Sequence, residues 1–183
     1  VARQYLQDDG FLEPAIADPL AANTATTAVG LYNSLQYALI PAYDSRPGKV
    51  YVLEAGGLIT TSASASTLTI SPSISTSNAA GTTLGASIAQ TTPVSSLSGP
   101  WYLKMILCCR ATGAPGGANA TILGHGFFIS GGVAATANSG LQVTFGGTAA
   151  TYDHSVAQSI WISKTLSVAG SWTTQFVDFT AMN

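Results

Sequence analysis

The run Trp101 to Arg110, WYLKMILCCR, constrains this chain more than any other stretch. A β-strand turns successive side chains to opposite faces, so residues two apart share a side. Trp101, Leu103, Met105, Leu107 and Cys109 share one side, and that side is expected to be core. Tyr102, Lys104, Ile106, Cys108 and Arg110 share the other. It is mixed, and is expected to meet solvent or a neighbour.

The rest of the chain repeats this grammar. Pro47-Gly48 signals a turn before a β-rich run from Val50 to Leu53. Gly56-Gly57 then predicts a bulge or bend, because glycine reaches positive φ at no steric cost. Thr67-Leu68-Thr69-Ile70 alternates strictly, and Thr61 to Ser66 reads as the loop of an organising hairpin. Further strands are expected over 84–90, 121–130 and 141–145, with FGGTAATYDH as a bend. Ser159 to Val168 and Trp172 to Met182 are expected to pair as a terminal hairpin. Both faces of that last strand carry aromatics, which predicts cover on both sides. Leu31 to Ile40 reads as a strand, although leucines at 31, 35 and 39 also suit a short helix. Roughly eight or nine strands separated by Gly, Pro and Ser clusters predict an all-β fold. The expected architecture is a two-sheet antiparallel β-sandwich with jelly-roll order, a closed barrel being the alternative.

The first 29 residues differ from the rest of the chain. Asp8, Asp9, Glu13 and Asp18 lie here, Pro14 and Pro19 break any long helix, and AANTATTAVG reads as linker. Tyr5, Leu6, Phe11 and Leu12 are too apolar for a tail that floats in water. The expected division is therefore an extended N-terminal arm over 1–29 and a sandwich over 30–183. Arg3, Tyr5, Leu6, Asp8, Asp9, Phe11 and Leu12 are the candidate interface residues, ordering on a partner as they bind it.

Charge is scarce. Charged residues make up 8% of the chain, against about 25% in an average soluble domain. Between Ala55 and Tyr152 only Lys104 and Arg110 are charged. Such a surface resists self-association poorly, and this points to a chain that lives in an assembly. Residues 1–46 hold five acids and two bases, a local −3, and the remainder four bases and three acids, a local +1. No basic stripe points to nucleic acid, and no apolar run has the length of a membrane-spanning helix. Adjacent Cys108 and Cys109 point to opposite faces of a strand and cannot readily bond each other. They are expected to stay reduced, which favours assembly in a reducing cytoplasm.

Candidate chemistry is thin. Asp153-His154-Ser155 has the residue types of nucleophilic hydrolysis, but a triad needs those groups to converge and chain neighbours on a strand diverge. The G-x-S-x-G elbow is absent. His125 between Gly124 and Gly126 reads as structural, and Asp44, Glu54, Asp153 and Asp178 show no spacing that pairs them. No metal-ligand or phosphate-loop spacing occurs, so no cofactor, metal or enzymatic activity is expected. Trp101, Trp161 and Trp172 suit burial, with a glycan-stacking platform as the second reading.

The segments IPAYDSRPGKVYVLEAGGLITT, TLTISP, GPWYLKMILCCRATG, FGGTAATYD and SVAGSWTTQF together resemble virion structural proteins of tailed bacteriophages. More specifically, they are similar to jelly-roll head decoration (cement) and minor structural proteins of phages of actinobacteria. The resemblance runs from Leu31 to the C-terminus and rests on turns, AGG bends and threonine-rich strands. It implies a small sandwich that binds the outside of a phage head as a homotrimer and holds major capsid subunits together. The location implied is the virion capsid surface, after assembly in the bacterial cytoplasm. Tail placement, with glycan binding at the host surface, is the alternative. The family has no catalytic residues to carry over.

Overall fold

The computed structural model describes residues 16–17, 29–31, 38–77, 79–92, 97–131, 140–168 and 170–182. Among these residues every regular element is a strand. Seven strands are long: β4 (Val50–Thr60), β5 (Thr67–Ser75), β8 (Ser98–Ala111), β9 (Ala120–Ser130), β10 (Leu141–Tyr152), β11 (Gln158–Leu166) and β12 (Ser171–Ala181). Five are two-residue pieces: β1 (Ile16–Ala17), β2 (Val29–Gly30), β3 (Leu39–Ile40), β6 (Thr82–Thr83) and β7 (Gln90–Thr91). They form two antiparallel six-stranded sheets. One, the long-stranded sheet, has the order β1-β12-β4-β8-β9-β10. The other centres on β11 and β5, flanked by β2, β3, β6 and β7.

The expected β-sandwich is what these residues build. A single core cluster draws Leu53, Leu103, Met105 and Phe128 from one sheet and Leu68, Ile70, Ile160 and Ile162 from the other. The alternation read in β8 holds along the strand: Trp101, Leu103, Met105, Leu107 and Cys109 are buried, and the residues between them are not. Burial of each such side chain contributes roughly 1.5–3 kcal/mol. Both flanks of the sandwich are stitched by hydrogen bonds. The Leu31 N–H donates to Ile162 O, and the Thr174 hydroxyl donates to Leu31 O. At the other flank, Gly146 and Thr148 N–H groups donate to Gly85 O and Leu84 O.

Several local expectations are corrected. Val50–Thr60 and Thr67–Ser75 do not pair as a hairpin, because β4 lies between β12 and β8 while β5 pairs with β11. The terminal hairpin fails for the same reason, since β11 and β12 belong to different sheets. A ribbon of β4 with β12 thus folds over into a ribbon of β5 with β11. That move is shared with jelly rolls, but the β8-β9-β10 meander within one sheet is not. Residues 84–89 form no strand. Their N–H and C=O groups are used instead in cross-links such as Ser87 N–H to Ile70 O.

The β10 strand is longer than expected. It runs through Gly146-Gly147, both in the left-handed region, with φ of 97° and 89°. A bulge there, between Gly146 and Ala149, absorbs the bend that the sequence suggested. Gly56-Gly57 likewise do not interrupt β4. The irregularity lies opposite them in β12, between Thr174 and Phe176. Of Leu31 to Ile40, residues 32–37 lie outside the described residues. The described end Leu39–Ile40 is a strand paired with β11, as is Val29–Gly30 just before the segment.

Candidate interaction surface

The two outer faces of the sandwich differ in kind. On the β5–β11 sheet, β5 turns Thr67, Thr69, Ser71, Ser73 and Ser75 away from the core. β11 does the same with Ser159, Ser163 and Thr165 around the half-buried Trp161. Small hydroxyl side chains dominate that side, with Ser73, Ser159 and Ser163 themselves buried, and Lys164 joins Ile160 and Ile162 on the core side. The long-stranded sheet breaks the pattern. Its outer side carries Phe176 from β12, Leu58 from β4, Tyr102 and Ile106 from β8, and Phe127 and Ile129 from β9.

Local geometry builds this face. The Tyr102 ring lies 6.5 Å from Phe176 and 6.1 Å from Phe127, a row of three aromatics across the sheet. The row crosses β4 at Gly56, where a Cβ would fall 2.4 Å from the Phe176 ring. The neighbouring glycine serves the opposite side: Gly57 leaves room for Thr173 O, which the bulge in β12 turns inward to accept the Trp101 indole N–H at 3.0 Å. Leu58, Ile129 and Ile106 are 47%, 41% and 40% exposed, which is high for large aliphatic side chains sharing one sheet face.

At the centre of the face stands a cross-strand ion pair, Lys104 Nζ to Glu54 Oε1 at 2.5 Å. The Lys104 ammonium holds the Glu54 carboxyl below the usual carboxylate range, and the carboxylate in turn raises Lys104. Partial burial, then the Glu54 carboxylate, pushes the Tyr102 phenol up. The pair is closed on itself. Beside it, Asp178 faces Glu54 across the strands and accepts a long hydrogen bond from the Thr180 hydroxyl at 3.4 Å.

The residues with hydrolytic potential sit elsewhere. Ser155 donates both its hydroxyl (2.6 Å) and its N–H (2.9 Å) to Asp153 Oδ1. These bonds close a local turn and hold the Asp153 carboxyl below its usual range. His154 turns to Tyr43, edge to face at 5.7 Å, and not to Ser155. Tyr43 itself stands in the left-handed region (φ 60°), unusual for a bulky side chain, with its N–H bound to His154 O at 2.7 Å. Trp101 and Trp172 are in the core, 4.8 Å apart, so those two rings offer no face to a sugar. Cys108 and Cys109 are free thiols on opposite sides of β8, the first half-buried on the outer face and the second buried.

One buried polar cluster lies under the 41–49 loop. The Lys49 ammonium (2.5 Å) and the Tyr51 hydroxyl (3.0 Å) both donate to the Asp44 carboxylate. Tyr152 meets the Cys109 thiol at 3.5 Å nearby. Burial raises both phenols above their ordinary value. A phenol whose folded pKa is raised favours the folded state below its unfolded pKa, about 10, and that contribution is lost as pH rises beyond it. The thermal midpoint is therefore expected to hold up to about pH 9–10 and then fall. Tyrosinate absorbance from Tyr51 and Tyr152 should emerge together with unfolding. A complete tyrosine titration in the folded protein near pH 10 would contradict it.

The sequence-derived interface residues, Arg3, Tyr5, Leu6, Asp8, Asp9, Phe11 and Leu12, lie outside the described residues. Of the first 29 residues, Ile16–Ala17 pairs with Thr173–Thr174 of β12, and Val29 pairs with Lys164 of β11. Compared with family models, curated proteins and solved structures, the chain matches none. The aromatic row was only half legible in the sequence. Alternation put Tyr102 and Ile106 on one side of β8, but the meeting of Phe176 with Tyr102 over Gly56 needed the strand order.

Proposed function

We propose that this chain is a non-enzymatic virion structural protein, a decoration (cement) protein that binds the outside of a phage head as a homotrimer. Its work is to cover joints between major capsid subunits. The observation that supports this most directly is the apolar outer face of the long-stranded sheet, built around one internally neutralised ion pair. A face of this kind gains free energy by being covered, and modest contacts repeated over a symmetric shell add up through multivalency. The scarcity of charge and the resemblance of the β segments to phage head proteins point the same way. The N-terminal residues Arg3, Tyr5, Leu6, Phe11 and Leu12 are assigned to docking on a neighbouring subunit, with Asp8 and Asp9 meeting basic capsid groups.

The test is stoichiometry in purified virions. Copies comparable in number to major capsid subunits are expected, and a handful per particle would place the chain in the tail instead. Removing residues 1–20 is expected to weaken rebinding to stripped heads by at least about tenfold, the scale of losing a few buried anchors. Rebinding at full strength would take the arm out of the mechanism.

A further inference from the structure

We infer that the outer face of the long-stranded sheet seats a second copy of this same chain. The inference deepens the proposed function by naming where copies meet, and rests on that reading for the expectation that they do.

The first argument is the contrast within one molecule. Both sheets are built by the same composition and packed on the same core. One shows Thr and Ser outward, and the other shows Phe176, Tyr102, Phe127, Leu58, Ile106 and Ile129. A sheet side that stays wet has no physical reason to carry a three-ring aromatic row, whereas a side that packs on another sheet does.

The second argument is charge. Glu54 and Lys104 neutralise each other at 2.5 Å, so covering them demands no countercharge from the partner. Asp178 adds one negative charge at the β12 flank, and the exposed Arg110 adds one positive charge at the end of β8 on the same side. The face is neutral as a whole, so neither a polyanion nor a strongly basic protein finds more than one countercharge to meet. The surface that suits such a face is another neutral one, and a second copy of this chain, in which charged residues are only 8%, offers such surface without a countercharge.

The third argument is size. Five long strands about 4.8 Å apart, with about ten residues each at about 3.3 Å, span a face on the order of 800 Å². That matches one partner's share, about 800 Å², of an interface of standard size. The aromatic row lies at the middle of this area, where the anchors of an interface are found.

The experiment compares the full chain with Tyr102→Glu and Ile106→Glu by sedimentation velocity. A control, Thr69→Glu, changes the outer side of the other sheet. The wild-type protein and the control are expected to sediment as an assembly of two or three chains. Each face variant should sediment as one chain over the same concentrations, with association weakened at least about tenfold. Near-UV circular dichroism establishes that the variants keep their packed core. Ile129→Lys repeats the test with the opposite charge, should either glutamate variant fail to fold. Cys108 supplies a second readout, since it lies on this face and Cys109 is buried. Maleimide should label Cys108 slowly in the wild type and at least about tenfold faster in Tyr102→Glu.

A wild-type monomer with fast-labelling Cys108 overturns the inference. So does an assembly that survives all three face variants. Self-association through this face without affinity for phage heads leaves the inference standing and overturns the capsid reading. A monomer that binds heads through this face overturns the inference, and the homotrimer with it, and leaves capsid decoration standing.

Discussion

Replacing Trp172 with alanine is expected to lower the thermal midpoint by on the order of 10 °C. The indole is 1% exposed and packs 4.8 Å from the Trp101 ring and 5.5 Å from Phe128. The buried Lys164 ammonium also stands over the Trp172 ring, 5.0 Å from its centre. Removing the indole deletes one of the two tryptophans of the core and leaves a cavity that strands on both sheets border. Such truncations cost about 3–5 kcal/mol. For a chain of this size each kcal/mol lowers the midpoint by about 2–4 °C. A cation left beside a void instead of an aromatic face adds to the loss. Trp161→Ala is the comparison. That ring is half-buried on the outer side of β11, above Gly30, and should cost clearly less. Melting curves followed by circular dichroism decide the matter. Equal shifts for the two variants would mean that the Trp101–Phe128–Trp172 stack is not the centre of the core.

The second large effect is expected from the addition of one methyl group. In Gly57→Ala the new Cβ would lie 1.8 Å from Thr173 O and 2.9 Å from the Trp101 indole nitrogen. The Thr173 oxygen belongs to backbone held between β1 and β4, so it cannot swing aside as a side-chain tip would. Either β12 moves away from β4 or the bulge rearranges, and in both cases the Trp101 N–H loses its 3.0 Å acceptor. Overpacking costs typically about 1–3 kcal/mol, and an unpaired buried donor about 1–3 kcal/mol more. A total near 4 kcal/mol is expected in urea titrations. Gly48→Ala serves as the control. Gly48 has φ of 83° but open space around it, so that variant has backbone strain alone and should lose only about 1 kcal/mol. If Gly57→Ala proved no worse than Gly48→Ala, the inward carbonyl would not be the reason for a glycine at position 57.

These two positions show how legibility divides. Gly56-Gly57 was readable as a place where β geometry departs from regularity, and the departure is there. It lies in β12, though, because the glycines accommodate what the opposite strand does: one side receives a ring and the other a carbonyl. Glycine in a strand signals close approach without naming what approaches. The candidate surface divides similarly. WYLKMILCCR announced that Tyr102 and Ile106 share a side, and nothing local could announce Phe176 or Phe127 as their neighbours.

Alternation, and with it the set of side chains facing the core, was determined by the sequence alone in a strand without a central bulge, such as β8. The bulges reverse it within β10 and β12, where Phe145 and Tyr152 both face the core and Trp172 and Phe176 face opposite sides. A pleated backbone sends consecutive side chains to opposite faces whatever the strand pairs with, so the signal lies within a few residues. Which strands pair was decided only by the tertiary structure. Leu68 meets Leu166 in β5–β11, and Thr60 meets Ser171 in β4–β12, across about a hundred residues that carry no mark of the match. Pairing is selected by the joint burial of both sheets against one core, a property of the whole chain that no short segment contains. The same choice of partners brought three rings into a row on the outside of one sheet and left serine and threonine on the outside of the other.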